Sequence, residues 1–268
     1  MSSGAHVDAR TPPPVLFLTG IGLSAAVALR SIAMLEMHFR VLAAQPETGQ
    51  EAVALLDDAG VEQAHVVGLS FGGVPAQELA TGQPERVRSL VLASSSAGGE
   101  RYAAPAPAVR QFVRGLAGLP IEEGLWAAVP YLYAATTCRD HAARIGEDLA
   151  RRLSTPLDPR RYRRQLAIAR AHDSGARLAR ITAPTLVVHG EQDRIVPVDN
   201  GRLLADGIPG ARFVAVAGGG HAFPTDVPGA SGELVSFLLA HSPRRAGPGG
   251  AASSAGRAAS RSARADRA

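Results

Sequence analysis

Gly68-Leu69-Ser70-Phe71-Gly72 is the stretch on which the reading of this chain turns. The apolar run Ala64-His65-Val66-Val67 leads into it, and a helix-forming stretch, Gly73 to Ala80, follows directly. A serine flanked by glycines at this spacing, between a buried strand and a helix, marks a turn so sharp that side chains two residues either side would collide. Such a turn holds the serine in a strained backbone conformation and lifts its hydroxyl above the sheet. It also aims the N-terminus of the next helix at whatever reacts there. A chain this rich in glycine and serine can produce the pentapeptide by chance. Its weight comes from the strand before it, the helix after it and two partner motifs downstream.

Outward from the pentapeptide, five more buried strands are legible. They are Pro14 to Leu18, Phe39 to Ala43, Val87 to Ala93, Pro184 to His189 and Ala211 to Val216. Their near-continuous aliphatic and β-branched character, without strict alternation, predicts burial on both faces. Helical stretches fall between most of them: Ala25 to Met37, Glu51 to Ala59, Gly73 to Thr81 and Gly201 to Asp206, with Ala230 to His241 closing the domain. Strand and helix alternating in this way predict an α/β fold, a mostly parallel sheet flanked by helices.

The rhythm breaks from about Ser96 to Arg180, where only helix-like stretches such as Ala108 to Leu116 and Arg139 to Leu153 occur. Residues 97–180 therefore read as a helical lid inserted after the fourth recognisable strand, over the strand ends where open α/β sheets bind ligands. Its Leu116, Leu119, Ile121, Leu125, Trp126, Val129, Tyr131 and Tyr133 predict an apolar pocket cap, with Trp126 and Tyr131 as candidate substrate contacts. Plain helical packing against the main domain is the alternative use of the same residues.

Composition sets the frame. A chain of 268 residues with 46% apolar content can bury one large core, so residues 1–242 read as a single domain. No apolar run approaches the ~20 residues of a membrane span, and Met1 to Pro14 has no secretory pattern. Cys138 is the sole cysteine, which excludes an internal disulfide and favours a reduced, cytoplasmic setting. All 28 basic residues are arginine, and from Pro243 to Ala268 there are six of them against one aspartate. Residues 243–268 thus carry +5 and the rest of the chain about −1, and the tail's Ala, Gly, Ser and Pro composition reads as disordered. With no aromatic residue among those arginines, a nucleic-acid arm is not expected.

A serine hydroxyl needs a base, and the base needs an orienting acid. After the fifth strand stands Gly190-Glu191-Gln192-Asp193-Arg194-Ile195-Val196-Pro197, and after the sixth Gly218-Gly219-Gly220-His221-Ala222-Phe223. The order Ser70, Asp193, His221, each at a strand's carboxyl end, resembles that of the α/β-hydrolase superfamily. The resemblance runs from about Pro14 to His241 and includes Ala76-Gln77-Glu78-Leu79-Ala80, Pro84-Glu85-Arg86-Val87 and Leu90-Val91-Leu92-Ala93. The members it looks like are small esterases, enol-lactonases, cofactor-free haloperoxidases and carbon–carbon bond hydrolases. It implies Ser70 as nucleophile, His221 as general base and Asp193 as the acid that fixes the imidazole's tautomer. It also implies an oxyanion hole from the backbone N–H groups of Phe71 and Ile21, with no cofactor and no metal. Each residue also has a plainer use: Ser70 as a helix cap, Asp193 as a turn aspartate, His221 as a packed histidine.

Two departures from the family pattern stand out. Relatives carry His-Gly after the first strand, where this chain has Thr19-Gly20-Ile21-Gly22, leaving Thr19 as a candidate substrate contact. Ala44 to Gln50 passes straight into a helix, so a segment of about 15 to 20 residues usual in such units is missing. The N-terminal hairpin of relatives is also absent or short, which trims that edge of the sheet. The resemblance implies a serine-dependent hydrolase of an ester or lactone in a mostly apolar small molecule. A carbon–carbon hydrolase or a cyclase-like or lyase-like enzyme on the same triad, and a non-catalytic ligand-binding relative, stay open.

Overall fold

The computed structural model describes residues 12–22, 29–155 and 158–243. The start of the first expected helix and the arginine-rich tail beyond Pro243 lie outside the described residues.

Six strands form one all-parallel sheet: β1 Pro14–Leu18, β2 Arg40–Ala44, β3 Ala64–Leu69, β4 Val87–Ala93, β5 Thr185–Gly190 and β6 Arg212–Val216. Their order is β2-β1-β3-β4-β5-β6. The helices are α1 Leu29–Glu36, α2 Gly49–Asp58, α3 Gly73–Gly82, α4 Pro107–Gly115, α5 Ile121–Leu132, α6 Ala135–Asp140, α7 Ala142–Leu153, α8 Pro159–Ala171, α9 Asp199–Gly207, α10 Phe223–Asp226 and α11 Ser231–Ala240. All six expected strands are present, within a residue or two. Phe39 is the exception in detail: its N–H bonds Leu35 O in the turn after α1, so it buries its ring just before β2.

Strand side chains alternate between two cores. Leu16, Leu18, Val66, Leu90, Leu92 and Val187 pack with Leu56 of α2, Leu79 of α3 and Leu204 of α9. Val15, Phe17, Val67, Val91, Leu186 and Val188 pack on the other face with Ile32 and Leu35 of α1 and Leu234 and Leu238 of α11. This is why the strands read as continuous apolar runs: both faces are covered, and each fully buried aliphatic side chain contributes about 1.5–3 kcal/mol.

From β1 the chain goes first to β2 on one side, then to β3 on the other. That reversal leaves a crevice at the carboxyl ends of β1 and β3, the place where open α/β sheets receive ligands. Ser70 ends β3 and the Gly20–Gly22 loop ends β1, so both open into it.

Helices α4 to α8 lie between β4 and β5. The two ends of this insertion meet: Gly98 bridges Asp173, and Ser174 N–H bonds Ala97 O at 2.9 Å. Helices α5 and α8 were not separable in the sequence, and the expected long helix around Arg139 is broken into α6 and α7 at His141.

Only Gln45 to Thr48 separate β2 from α2. Thr48 caps α2 by accepting from Glu51 N–H at 3.2 Å, and Glu51 accepts in turn from Glu47 N–H at 2.8 Å. Helix α8 packs on this short connection. Arg164 Nη2 lies 2.8 Å from Glu47 Oε1, Arg161 Nε lies 3.4 Å from the same oxygen, and Arg161 also bonds Gln45 O. Gln165, fully buried, accepts from Gly22 N–H at 3.1 Å. Helix α8 thus lies against both the short β2–α2 connection and the loop after β1.

Candidate active site

Ser70 sits at φ 53°, in the left-handed region that non-glycine residues avoid. The flanking glycines are required sterically. A Cβ on Gly72 would lie 2.1 Å from Leu18 O, and one on Gly68 would lie 2.7 Å from Gly72 O. The turn passes straight into α3 through a single turn of 3-10 helix, Ser70–Gly72.

His221 Nε2 lies 3.0 Å from Ser70 Oγ, and its Nδ1 lies 2.7 Å from Asp193 Oδ2. A carboxylate only accepts, so Nδ1 carries the proton and Nε2 is left to accept from the serine hydroxyl. The three residues that the sequence set in order along the chain meet in one hydrogen-bonded line. Asp193 is held on both oxygens. Its Oδ1 accepts from the N–H groups of Ile195 and Val196, at 2.9 and 2.8 Å. Burial alone pushes its carboxyl up, but the His221 and His189 imidazoles outweigh that and hold it at about 2. It is therefore a fixed anion across the physiological range.

Three further residues brace this line. His189, fully buried in β5, donates its Nε2–H to Val196 O at 2.8 Å and stands 3.2 Å from Asp193 Oδ2, the oxygen that also meets His221. Ser94 follows β4 at φ 48° and donates to His221 O at 3.2 Å. Asp226 accepts from Gly220 N–H at 2.7 Å and from Ala134 N–H at 3.1 Å, tying the histidine loop to the end of α5. Burial pushes the Asp226 carboxyl up, against the pull of its hydrogen bonds to Thr137 and to the Gly220 and Ala134 backbone. Little in the sequence singles these residues out: His189 lies inside a strand, Asp226 at the end of the short α10 and Ser94 directly after β4. The four-residue spacing of His189 and Asp193 was the one available signal.

Phe71 buries its ring under the elbow, and Ile21 is half-buried in the turn that closes β1. Beside Ser70 and His221 opens a cavity of about 70 Å³, lined by Arg30 and Ser31 of α1, Asp148 and Arg152 of α7, Leu69, and Ala222, Pro224 and Thr225. The expected aromatic contacts are elsewhere. Trp126 is 53% exposed, and Tyr131 stacks on Phe112 at 4.3 Å beneath the Arg194 guanidinium. Thr19 is buried, with its N–H on Ala44 O at 3.0 Å, and faces the end of β2 rather than the cavity. Among the described residues no group of three or more His, Cys, Asp or Glu side chains is placed to hold a metal ion. No helix among them is long and apolar enough to cross a membrane.

The α/β hydrolase family model matches residues 37–231. This chain belongs to the α/β hydrolase family. Among its relatives is the Azorhizobium caulinodans protein named carbamate hydrolase RutD, 33% identical over 189 residues, 70% of this chain and 71% of that one. A second is the 2-hydroxy-6-oxononadienedioate/2-hydroxy-6-oxononatrienedioate hydrolase of Cupriavidus pinatubonensis, 35% identical over 62% of this α/β hydrolase and 58% of that protein. The crystal structure of a Pseudomonas aeruginosa hydrolase superposes with a TM-score of 0.71 at 28% identity, covering 86% of this chain and 92% of its own.

Proposed function

We propose that this α/β hydrolase is a serine hydrolase that cleaves an ester or lactone by way of an acyl-enzyme. The observation that carries the reading is the line Ser70 Oγ to His221 Nε2 to Asp193, at 3.0 and 2.7 Å, on a serine held at φ 53°. His221 takes the hydroxyl proton as Ser70 Oγ attacks the carbonyl carbon, and returns it to the departing alkoxide. Water then enters on the same face and gives its proton to His221 as it attacks the acyl carbon, and His221 returns that proton to Ser70 Oγ as the acyl–oxygen bond breaks. Asp193 stays ionised throughout and stabilises the imidazolium formed in each half. The Phe71 and Ile21 N–H groups stand at the elbow and the β1 loop, the two places from which an oxyanion is met in this family.

The relatives named as a carbamate hydrolase and as a 2-hydroxy-6-oxononadienedioate/2-hydroxy-6-oxononatrienedioate hydrolase support chemistry at a carbonyl carbon more broadly. The second reading is therefore carbon–carbon bond hydrolysis by the same three residues. A fluorophosphonate probe is expected to label Ser70 in the wild type and to leave Ser70→Ala unlabelled. Ser70→Ala is expected to lose turnover of a short-chain p-nitrophenyl ester while keeping the wild-type thermal midpoint. Wild-type turnover in that variant would sink the proposal. A Ser70-bound acyl group seen by mass spectrometry after brief exposure to ester separates the two readings.

A further inference from the structure

The cavity beside Ser70 carries a charge imbalance. Arg30 and Arg152 face it with a single carboxylate, Asp148. Arg30 is already paired, with Glu147 and, at 3.6 Å, with Asp148. Asp148 is also fully engaged: it accepts from Arg151 Nη1 at 3.0 Å, Tyr133 Oη at 3.3 Å and Thr225 Oγ1. Arg152 has no such partner. No carboxylate among the described residues lies within 4 Å of its guanidinium, and its Nε is buried without a hydrogen bond. In this half-buried guanidinium the Nε–H has lost water and gained no partner, which is costly, and the positive charge stands without a carboxylate beside it. The same planar fork matches a carboxylate edge to edge.

We propose that Arg152 binds a carboxylate of the substrate, so that the ester or lactone cleaved at Ser70 belongs to an acid carrying a second, free carboxylate a few atoms from the scissile carbonyl. This rests on the serine-hydrolase reading above. Three features select the group. The cavity, of about 70 Å³ and open to solvent, has room for a carboxylate and a short linker beside Ser70. One uncompensated cation asks for one negative charge. Asp148 on the same wall opposes a doubly charged group such as a phosphate monoester. Leu69, Ala222 and Pro224 add apolar surface to the cavity that holds both Arg152 and Ser70. The reaction consumes one water and yields the free diacid and the alcohol. For a lactone the product is a single hydroxy diacid.

The test compares monomethyl succinate, a monoanion, with methyl butyrate, its neutral counterpart, by methanol release. Wild type is expected to favour the monoanion in kcat/KM. Arg152→Met is expected to lower the ratio of the two kcat/KM values by about 10- to 100-fold, the worth of a charge-assisted hydrogen bond pair. Arg152→Lys, which keeps the charge and loses the fork, is expected to fall between. A second readout does not depend on turnover: succinate should slow fluorophosphonate labelling of Ser70 in wild type and fail to do so in Arg152→Met. If Ser70 labels and methyl butyrate is cleaved, but the wild type shows no preference for the anion or the ratio survives Arg152→Met and Arg152→Lys alike, the anion site is refuted and the serine-hydrolase reading stands. If Ser70 neither labels nor cleaves either ester, that reading falls and takes this proposal with it.

Discussion

Ser94 Oγ donates to the main-chain oxygen of His221 across 3.2 Å, from a backbone held at φ 48°. A non-glycine residue in that conformation costs about 1–2 kcal/mol, and here the bend aims the hydroxyl at the histidine loop. Ser94→Ala keeps the bend and removes the bond. It is expected to lower kcat about 3- to 10-fold with KM little changed, and to cost about 1 kcal/mol in urea unfolding. Unchanged kcat in a stable Ser94→Ala protein would show that the bond does not position His221.

The elbow stores strain that can be released. Ser70→Gly is expected to unfold at higher urea than Ser70→Ala, by about 1 kcal/mol, since glycine adopts φ 53° without penalty. Gly72→Ala has the opposite sign. Its methyl would sit 2.1 Å from the Leu18 carbonyl, inside β1 and unable to yield, so a loss of at least about 3 kcal/mol or no soluble protein is expected.

Acid stability follows from two buried histidines. Burial and the neighbouring Arg88 and His241 charges hold His65 at about 4, below its usual 6.5. Burial and Arg177 hold His172 at about 4 as well, Asp173 opposing them. Between pH 6.5 and 4 the unfolded chain therefore binds more protons than the folded one. Stability is expected to fall as pH drops through that window, by on the order of 2 kcal/mol per histidine, and to level off from this source below it. The depressed Asp193 acts lower down. The stability it contributes is present above the ordinary carboxylate range and is lost as pH falls towards about 2. Urea titrations at pH 7.5 and 4.5 measure the first effect, and His65→Gln should reduce the difference between them.

Gln165 is the link between α8 and the loop after β1. Gln165→Leu removes the acceptor of Gly22 N–H inside a buried site, so kcat on a neutral ester is expected to fall about 3- to 10-fold and the thermal midpoint to drop. Glu47→Gln breaks only the partly exposed pairs with Arg161 and Arg164 on the same helix, and a stability loss of no more than about 1 kcal/mol is expected. If Glu47→Gln reduced kcat as much as Gln165→Leu, the effect would belong to the seating of α8 as a whole.

Much of this architecture was legible in the sequence because its signals are local. A strand buried on both faces writes itself as a continuous run, as Val87 to Ala93 does, and of the glycines two residues either side of Ser70, Gly72 reports the close pass of β1 and Gly68 that of α3. Ser70, Asp193 and His221 are legible as a set because each follows a strand, in a fixed order. What escaped depends on which helix faces which. Nothing local says that Trp126 turns outward or that Arg152, one of 28 arginines, turns inward. Nor does the short Gln45–Thr48 connection announce that α8, distant in sequence, fills its place. These are outcomes of tertiary packing, and single-residue propensities do not encode them.

The insertion between β4 and β5 stands on two feet. At one, Leu132 O and Ala134 N–H hold Ala222 and Asp226 beside His221; at the other, Gln165 holds Gly22 beside the elbow. The His221 loop and the loop after β1 are therefore both tied to the one insertion, at α5 and at α8, while the sheet beneath is held by its own two cores. Warming the protein should silence it before it melts. The insertion needs only to slacken for the two loops to drift apart, at temperatures where β1 to β6 are still intact.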